Sequence, residues 1–430
     1  MKLLVQGGRV IDPSQGLDGV FEILIEDGCV SQVAEKAKGI RGAEIYDAKG
    51  LVVTPGLIDM HVHLREPGQE YKETVRTGAL AAAAGGFTSV ACMPNTSPPI
   101  DNRSVTEHVM SEARQNPFAR VYPIGAVSKG QKGEEIAEIG DMVAAGVVAV
   151  SDDGFPVKNA ELMRRALLYA QHYDIPVIQH AQDMDLTAGG VMHEGEWSTR
   201  LGLPGIPGSA EDVMVARDLI LVDDTGGSYH VAHLSTARSL GLVGQAKKRG
   251  LPVTCEVTPH HLLLTDQAVA DSGFSTSTKM NPPLRSEMDR AALLNGLADG
   301  TVDAIASDHA PHHTDEKDVE FSTAPFGIIG LETNLSLCLD RLVRPGIIRL
   351  PRLVELWSTN PARILNLPGG TLATGSPGDL TLFHPRRPVT VRAGRFRSKA
   401  SNTPFEGWKL RGRPVVTVVG GRVMADLPKV

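Results

Sequence analysis

Histidine and aspartate residues recur at the ends of short apolar segments along this sequence of 430 residues. His61 and His63 stand two apart in LIDMHVHLRE, where strand alternation places both on one face with Asp59. Four further apolar segments end at residues of the same two types: Asp152 with Asp153, His180, His233 and Asp308. Imidazole and carboxylate groups are the ligands that zinc and related ions prefer in proteins. This recurrence predicts a metal centre.

The number of these groups indicates two metal ions. Four imidazoles and two carboxylates are too many for one four-coordinate zinc that keeps an open position. A carboxylate from Asp153 or its neighbour Asp152 would bridge the two ions, and a bridging hydroxide would be available at neutral pH. Zinc suits this ligand set, and manganese, cobalt and iron stay open. The chemistry indicated is hydrolysis.

The apolar segments must be strands for these groups to meet. The eight segments cover residues 57–63, 87–93, 120–126, 147–151, 176–180, 229–233, 252–257 and 302–307. Stretches with helical spacing lie between them, such as Ala160–His172 and residues 290–298, each after an Asn, Asp or Ser cap. Strand and helix repeated eight times favour a closed (β/α)₈ barrel over a doubly wound sheet. A barrel brings the carboxyl ends of its strands to one rim.

The two ends of the chain have a different pattern. LVQGGRVI and FEILIEDGCVSQV near the amino terminus alternate apolar residues around Gly-Gly and Asp-Gly pairs, which predicts hairpins. GDLTLFH and PVVTVVGGRVM repeat the pattern near the other end. We therefore expect residues 1–54 and 368–430 to form one composite β domain beside a barrel of residues 55–367.

Composition excludes several classes of protein. The formal charge is −7, and 19 of the 430 residues are aromatic, which argues against a nucleic-acid binder. The sequence shows no secretory signal and no apolar run of about 18 residues, so we expect no membrane span. Four scattered cysteines predict separate, buried thiols in a reducing compartment, so we expect a cytoplasmic protein.

One segment of the chain is strongly basic. Residues 392–413 hold seven Lys or Arg residues against the single acid Glu406. Such a segment is typically a solvated face. Steering of an anionic substrate, or docking of an acidic partner, is the alternative.

Six motifs together resemble a known family. They are PGLIDMHVHLREPG, ACMPNTSPPI, SDDG, NPPLR at 281–285, SDHAPH and SNTPFEGW. In this order they resemble the cyclic amidohydrolases of the amidohydrolase superfamily, and among these the type I dihydroorotases. The resemblance implies a distorted (β/α)₈ barrel with a composite β domain. It also implies reversible hydrolysis of (S)-dihydroorotate to N-carbamoyl-L-aspartate, a step of de novo pyrimidine biosynthesis.

The resemblance further implies roles for the metal-type residues. The implied ligands are His61 and His63 on the first metal, His180 and His233 on the second, Asp153 as the bridge, and Asp308 on the first metal. Asp308 would also act as general acid and base for attack by a metal-bridged hydroxide. Allantoinases and hydantoinases use a carboxylated lysine as the bridge, whereas SDDG contains no lysine.

The implied substrate is a small cyclic anion, so it needs a cation. Arg65, two residues beyond His63, can hold the substrate carboxylate as a fork. The remaining substrate contacts that we expect are His63, Asn95, His312, Asn281, Phe326 and Gly327. Two zinc ions per subunit are the expected cofactors, with Mn²⁺ or Co²⁺ as alternatives.

Three further expectations complete the sequence analysis. We expect His260 and His261 to occupy the rim or to support the site, and residues 311–325 to cover it. A homodimer is expected, and association with aspartate transcarbamoylase is possible. The alternative functions are an allantoinase-type or hydantoinase-type enzyme, or a non-catalytic homologue that scaffolds such a partner enzyme.

Overall fold

The computed structural model describes residues 2–426, and all bounds below lie within them. The strands are β1 Lys2–Gln6, β2 Arg9–Asp12, β3 Leu17–Val20, β4 Glu22–Glu26, β5 Cys29–Ala34, β6 Glu44–Asp47, β7 Val52–Pro55, β8 Leu57–Val62, β9 Phe87–Cys92, β10 Arg120–Pro123, β11 Val150–Ser151, β12 Val177–Gln179, β13 Met192–His193, β14 Gly205–Ile206, β15 Tyr229–Val231, β16 Val253–Val257, β17 Ala304–Ile305, β18 Leu380–Thr390, β19 Lys409–Val419 and β20 Arg422–Asp426.

The α-helices follow the same chain order. They are α1 Val75–Gly85, α2 Arg103–Gln115, α3 Ile139–Ala145, α4 Ala160–His172, α5 Glu196–Leu201, α6 Ser209–Thr225, α7 Ala237–Lys248, α8 Pro259–Leu263, α9 Gln267–Asp271, α10 Glu287–Asp299, α11 Thr314–Lys317, α12 Asn334–Cys338, α13 Leu350–Val354 and α14 Asn360–Ile364.

Eight parallel strands form the barrel. One sheet has the order β10-β9-β8 and the other the order β11-β12-β15-β16-β17. Parallel bridges from Gly125 to Val150 and from Val62 to His309 join the two sheets at both seams. Each of the eight predicted segments contains one of these strands. The prediction of a (β/α)₈ barrel is confirmed.

Two apolar layers stabilise the barrel. Small and medium side chains from the strands fill its interior, among them Met60, Ala91 and Ile178. A larger layer lies between strands and helices, where Phe87 meets Trp357 edge to face with 5.4 Å between ring centroids. Burial of side chains of this size contributes about 1.5–3 kcal/mol each, so the strands cannot shift without exposing one layer.

Local capping sets where the barrel helices begin. Helix α4 has the predicted bounds because the Asn159 side chain accepts hydrogen bonds from the backbone nitrogens of Glu161 and Leu162, at 2.9 and 3.3 Å. Helix α10 begins earlier than predicted, directly after Ser286, whose hydroxyl accepts from the Asp289 nitrogen at 3.3 Å. Each cap satisfies donors that the first helical turn leaves free.

Both ends of the chain contribute to the same sheet. Its order is β20-β19-β18-β7-β2-β3, so strands from the carboxyl-terminal part lie beside strands from the amino-terminal part. A second sheet, β5-β4-β1-β6, shares an apolar core with it that includes Ile23, Val53 and Leu380. The expected pairing of the two ends is therefore present, and the domain boundaries at residues 54 and 368 stay a prediction.

One predicted hairpin is wrong. The strands of LVQGGRVI do not pair with each other, because β1 pairs with β4 and β6 while β2 pairs with β3 and β7. Gly7 has a φ of 79°, and a Cβ atom on Gly8 would lie 2.7 Å from the Val53 side chain. The two glycines thus carry the chain from one sheet to the other. FEILIEDGCVSQV and PVVTVVGGRVM do form antiparallel hairpins, β4–β5 and β19–β20.

The structure also tests the expected burial of the four thiols and the expected absence of a membrane span. All four thiols are free, and Cys92, Cys255 and Cys338 are buried. Cys29 is exposed at the start of β5, so the predicted burial is wrong at this position, where a hairpin turn leaves the side chain in solvent. Within residues 2–426, no helix has the length and apolar character that crossing a membrane requires.

Candidate metal centre and substrate cavity

The first cluster of metal-type residues joins the start and the end of the barrel. His61 lies on β8, His63 follows its last residue, and Asp308 lies just beyond β17. The Asp308 Oδ1 atom is 3.1 Å from His63 Nε2 and 3.6 Å from His61 Nε2. All three side chains are buried. Residues about 245 positions apart in the sequence therefore meet because β8 and the segment after β17 are neighbours in the closed barrel.

Asp153 connects this cluster to two more histidines. Its Oδ1 atom lies 3.4 Å from His233 Nε2, 3.5 Å from His61 Nε2 and 3.6 Å from His180 Nδ1. Its Oδ2 atom lies 3.5 Å from His63 Nε2. One carboxylate thus faces all four imidazoles, which is the position that a bridging ligand needs.

Asp152 has a different environment. One of its oxygens accepts hydrogen bonds from the backbone nitrogens of Val127 and Ser128, at 2.9 and 3.0 Å, and the other accepts from the Ser128 hydroxyl. These contacts use the carboxylate to hold the turn after β10. The sequence left open which of the two aspartates reaches the cluster, and the structure places Asp153 there.

The buried polar atoms of the cluster fit a metal ion. Among residues 2–426, His61 Nε2 and Asp153 Oδ1 are fully buried and have no hydrogen-bond partner. Two groups of three residues each bring their ligand atoms within 4.8 Å of one another. One group is His61, His63 and Asp308, and the other is His61, Asp153 and His233. Buried polar atoms without partners are costly, and a cation between them would remove that cost. Imidazole nitrogens and carboxylate oxygens suit zinc, manganese or cobalt.

Two residues that orient the histidines were not singled out from the sequence. Glu256 on β16 accepts a hydrogen bond from His61 Nδ1 at 2.7 Å, which leaves Nε2 facing the cluster. Gln182 accepts from His180 Nε2 at 2.7 Å and leaves Nδ1 facing it. Such partners fix the tautomer and the ring orientation of a metal-binding histidine. The signals were present, since Glu256 is an acid within an apolar strand and Gln182 follows His180 by two positions.

Charges within the cluster shift its pKa values. Burial opposes ionisation of Glu256, but the charge of His61 and hydrogen bonds from His230 and His61 lower the pKa of Glu256 to about 2. Burial also opposes ionisation of Asp308, and there the hydrogen bond from His63 and the charge of His61 hold the pKa below its ordinary value. Both carboxylates are therefore ionised at neutral pH.

A cavity of about 220 Å³ opens onto this cluster. It is lined by His63, Arg65, Asn95, Asp153, Gly154, His180, His233, Asn281, Asp308, Ala310, His312, Phe326 and Gly327. The structure thus brings all the expected substrate-contacting residues to one cavity, together with five of the six expected metal ligands. His61 is the sixth, and it lies beneath the cavity wall against Glu256.

Arg65 supplies the positive charge of this cavity. Its side chain is 8% exposed, and its Nε atom donates to the Pro311 carbonyl at 3.2 Å. Over the described part of the chain, its two terminal nitrogens have no hydrogen-bond partner. Burial lowers the pKa of Arg65 to about 10, so the group stays charged at neutral pH. The terminal nitrogens are therefore free to bind a carboxylate as a fork.

Three expected substrate contacts already have protein partners. Asn95 Oδ1 accepts from His63 Nδ1 at 2.8 Å, and Asn281 Nδ2 donates to Gln182 Oε1 at 2.6 Å. His312 Nε2 donates to the Phe326 carbonyl at 2.8 Å. These side chains line the cavity and also hold its walls, and their substrate contacts stay predictions.

Asn402 joins two walls of the cavity, and it comes from the carboxyl-terminal segment. Its Nδ2 donates to the carbonyls of Ala310 and Gly327, both at 3.1 Å, and its Oδ1 accepts from the His312 backbone nitrogen at 3.3 Å. Gly327 has a φ of 127°, and a Cβ atom there would lie 2.8 Å from the Ala310 side chain. Asn402 lies in the SNTPFEGW motif, to which sequence analysis gave no role.

The segment 311–325 forms one side of the cavity mouth. The short helix α11 anchors it, because Glu316 Oε1 contacts Lys72 Nζ and the Tyr71 hydroxyl, both at 3.1 Å. Lys317 Nζ donates to the Pro325 carbonyl at 2.8 Å. These contacts close the segment on itself, and its expected role as a cover over the site stays a prediction.

His260 and His261 lie away from the solvent-exposed rim, and the other expected role, support of the site, stays a prediction. Both are buried, because helix α8 turns them inward after Thr258. His261 Nδ1 shares a hydrogen bond of 2.7 Å with the Thr258 hydroxyl, and its Nε2 donates to the Pro282 carbonyl at 3.0 Å. Burial lowers the pKa of His260 to about 4. Burial also lowers the pKa of His261, and this neutral imidazole supports the loop that carries Asn281.

Comparison with solved structures shows the class of protein. The L-hydantoinase (dihydropyrimidinase) from Arthrobacter aurescens is similar over 100% of this chain and 97% of its own, with a TM-score of 0.88 and 26% identity. Dihydropyrimidinase from Brevibacillus agri shares the fold, with a TM-score of 0.86 and 24% identity over 98% and 95% of the two chains. The barrel and its histidine–aspartate cluster define a hydrolase with a metal-binding centre at the carboxyl ends of the strands.

Sequence comparison narrows this class to one family. A family model described as dihydro-orotase-like matches residues 50–239. Dihydroorotase from Citrifermentans bemidjiense is 54% identical over 99% of this chain and 99% of its own, and dihydroorotase from Anaeromyxobacter dehalogenans is 56% identical over 99% and 98%. The chain belongs to the dihydroorotase family of enzymes that hydrolyse cyclic amides.

Proposed function

We propose that this protein is a dihydroorotase, which opens and closes the ring of (S)-dihydroorotate to give N-carbamoyl-L-aspartate. The observation that carries the proposal is the pair of terminal Arg65 nitrogens in the same 220 Å³ cavity as Asp308 and the histidines. A cyclic amide with a carboxylate satisfies both, since the fork binds the carboxylate while the amide reaches the acid–base group. Curated dihydroorotases at 54–56% identity support it.

The chain's own residues can carry the proton transfers. When bound, metal ions polarise the amide carbonyl and favour deprotonation of the attacking water. Asp308, ionised at neutral pH, takes the proton of that water and passes it to the leaving ring nitrogen. His63 donates from Nδ1 to Asn95 Oδ1 at 2.8 Å, so its Nε2 faces Asp308 and would be available to the metal ion that the two residues share. Ring closure uses the same groups in reverse order.

The residues favour two zinc ions per subunit in the ligand arrangement expected from the sequence. His61 and His63 would hold the first with Asp308, His180 and His233 would hold the second, and Asp153 would be their shared ligand. The cavity wall contains five of these six residues, and its one further histidine, His312, donates to the Phe326 carbonyl at 2.8 Å. Manganese or cobalt would satisfy the same donors.

A metal measurement tests the centre separately from the reaction. Elemental analysis of purified protein is expected to give about two transition-metal ions per chain. His233→Ala is expected to lose about half of the bound metal. His172→Ala, which removes an exposed imidazole on α4, is the matched control and should lose none. Equal metal content in all three proteins would contradict the ligand set.

A ring-opening assay tests the reaction. Metal-replete protein should convert dihydroorotate to N-carbamoyl-aspartate and should run the reverse reaction at lower pH, because ring closure consumes a proton. An allantoinase-type or hydantoinase-type enzyme would instead prefer an uncharged ring. Failure to act on any cyclic amide with metal bound would favour the scaffolding alternative. The complete set of ligand side chains supports activity.

The assembly and location of the protein are part of the proposal. We infer a cytoplasmic homodimer, since the free thiols fit a reducing compartment. Association with aspartate transcarbamoylase stays a prediction from the resemblance. Light scattering of the purified chain, alone and mixed with that enzyme, would measure both.

A further inference from the structure

A second cavity, of about 260 Å³, lies away from the metal centre. Helix α1, helix α12 and the β18–β19 hairpin enclose it. Its lining is Ala84, Glu332, Thr333, Ser336, Val389, Thr390, Val391, Arg392, Arg395, Phe396, Arg397, Arg413 and Pro414. Helix α1 begins beyond the carboxyl end of β8 and ends two residues before β9, so Ala84 marks the opposite end of the barrel from the catalytic cavity. The two cavities share no lining residue.

Positive charge is concentrated around this cavity. Arg392, Arg395, Arg397 and Arg413 line it. In the stretch from residue 2 to residue 426, the first three have no carboxylate within 4.0 Å of their guanidinium groups. Residues 386–413 contain nine Lys or Arg residues and one acid, in a chain whose formal charge is −7. These three side chains are exposed, so water and salt screen their mutual repulsion. An anion in the cavity would be a counter-ion that the protein itself does not supply.

A buried hydroxyl points independently to a ligand. Ser336 is 5% exposed and lines the cavity, and its hydroxyl makes no hydrogen bond to any described residue. The neighbouring Thr333 hydroxyl, by contrast, donates to the Gly330 carbonyl at 3.0 Å. The Ser336 oxygen is not fully enclosed by the described residues, so it can be reached from the cavity. The Ser336 hydroxyl is therefore available to a molecule in the cavity.

The rest of the lining indicates the shape of that molecule. Val389, Val391, Phe396 and Pro414 give apolar walls. Glu332 is the one carboxylate in the lining, and its Oε1 already accepts from the backbone nitrogens of Arg397 and Ser398, at 2.7 and 3.1 Å. Burial raises the pKa of Glu332 to about 7, so this group is only partly charged at neutral pH. An anion with an apolar, flat body fits such a lining.

We propose that this cavity binds a nucleoside monophosphate, with the phosphate held by Arg392, Arg395 and the Ser336 hydroxyl and the base packed against Phe396. Several guanidinium forks around one site favour a dianionic phosphate over a single carboxylate. An aromatic wall favours a flat ring over an aliphatic chain. The site is separate from the catalytic cavity, so this binding does not depend on the proposed reaction.

Calorimetric titration of the metal-replete protein tests the proposal, with uridine monophosphate, uridine and inorganic phosphate as probes. We expect the monophosphate to bind, inorganic phosphate to bind at least tenfold more weakly, and uridine to show no binding. The Arg392→Ala/Arg395→Ala double variant should bind the monophosphate at least tenfold more weakly, since it loses the charge-assisted hydrogen bonds of two guanidinium groups. Ser336→Ala should weaken binding a few-fold.

Arg165→Ala provides the matched control. Arg165 is an exposed arginine on α4 that pairs with Glu161, and its loss should leave binding unchanged. The variants should all keep the ring-opening rate of the parent protein, which shows that they fold. Absence of binding at millimolar monophosphate, equal binding by the double variant, or equal affinity for inorganic phosphate would each overturn the proposal. A change of oligomeric mass in the double variant without monophosphate binding would overturn it too, and would make this surface an interface between copies.

Discussion

Replacement of Arg65 by methionine separates recognition of the substrate carboxylate from ring chemistry. Methionine matches the apolar stem of the side chain out to the position of Nε but removes the guanidinium, whose two terminal nitrogens have no protein partner among the described residues. Two charge-assisted hydrogen bonds contribute about 3 kcal/mol or more in total. We therefore expect kcat/KM for dihydroorotate to fall about 100-fold or more.

The control for this variant is a ring without the carboxylate. Dihydrouracil has the same six-membered ring, and its slow hydrolysis should change less than threefold in Arg65→Met. Arg65→Lys keeps the charge but loses the fork, so we expect an intermediate loss with dihydroorotate. The two rates are measured by chromatographic separation of ring and opened product.

One result would refute this reasoning about Arg65. If Arg65→Met lost the same factor with dihydrouracil as with dihydroorotate, the residue would act by holding the Pro311 carbonyl, which its Nε contacts at 3.2 Å. The substrate carboxylate would then need another partner, and the observation that carries the proposed function would be lost.

Three other changes test the site and its supports. Asp308→Asn should lower kcat at least 1,000-fold while the melting temperature stays within a few degrees, because the amide cannot take the proton of water; near-normal turnover would remove Asp308 from the acid–base role. Asn402→Ala should lower the free energy of unfolding by about 2–3 kcal/mol and raise KM more than it lowers kcat, since two carbonyls and one amide lose their partner. Asn402→Asp keeps the shape of the side chain but not its donors. An unaffected KM in both variants would contradict the bridging role of Asn402. Burial lowers the pKa of Lys317 to about 7, well below its value in the unfolded chain. Between pH 7 and 10 the unfolded chain therefore binds a proton that the folded chain does not, and the free energy of unfolding should rise with pH. In denaturant unfolding, Lys317→Met should lack this contribution of up to about 1.4 kcal/mol per pH unit, and parallel pH profiles for the two proteins would contradict it.

The barrel was predictable because its signals are local. Each parallel strand is buried on both faces and reads as a continuous apolar run, so a segment such as residues 229–233 stands out without knowledge of its neighbours. The histidine or aspartate at the end of such a segment is also a local signal, because the carboxyl end of a barrel strand faces the cavity rather than the apolar layers. The sequence therefore predicted the metal-type cluster from spacing alone, before any resemblance was considered.

The errors arose where a pattern has two physical outcomes. Gly7 and Gly8 allow either a tight turn or a crossing between sheets. The outcome depends on β4, which pairs with β1, and on β7, which pairs with β2. Partners such as Glu256 and Asn402 were missed for a related reason. Their role depends on which distant atom they meet, and Asn402 contacts a loop about 90 positions earlier in the chain. Sequence spacing contains no information of that kind.

The path of the chain has a consequence for how the enzyme matures during synthesis. Strand β7 pairs with β18, and Asn402 completes the cavity wall from the carboxyl-terminal segment. During synthesis, all the proposed metal ligands and Asp308 are therefore present in the growing chain before strands β18 to β20 of the sheet and before the cavity wall that Asn402 completes. We therefore expect products of interrupted translation that end before Asn402 to have an incomplete cavity wall.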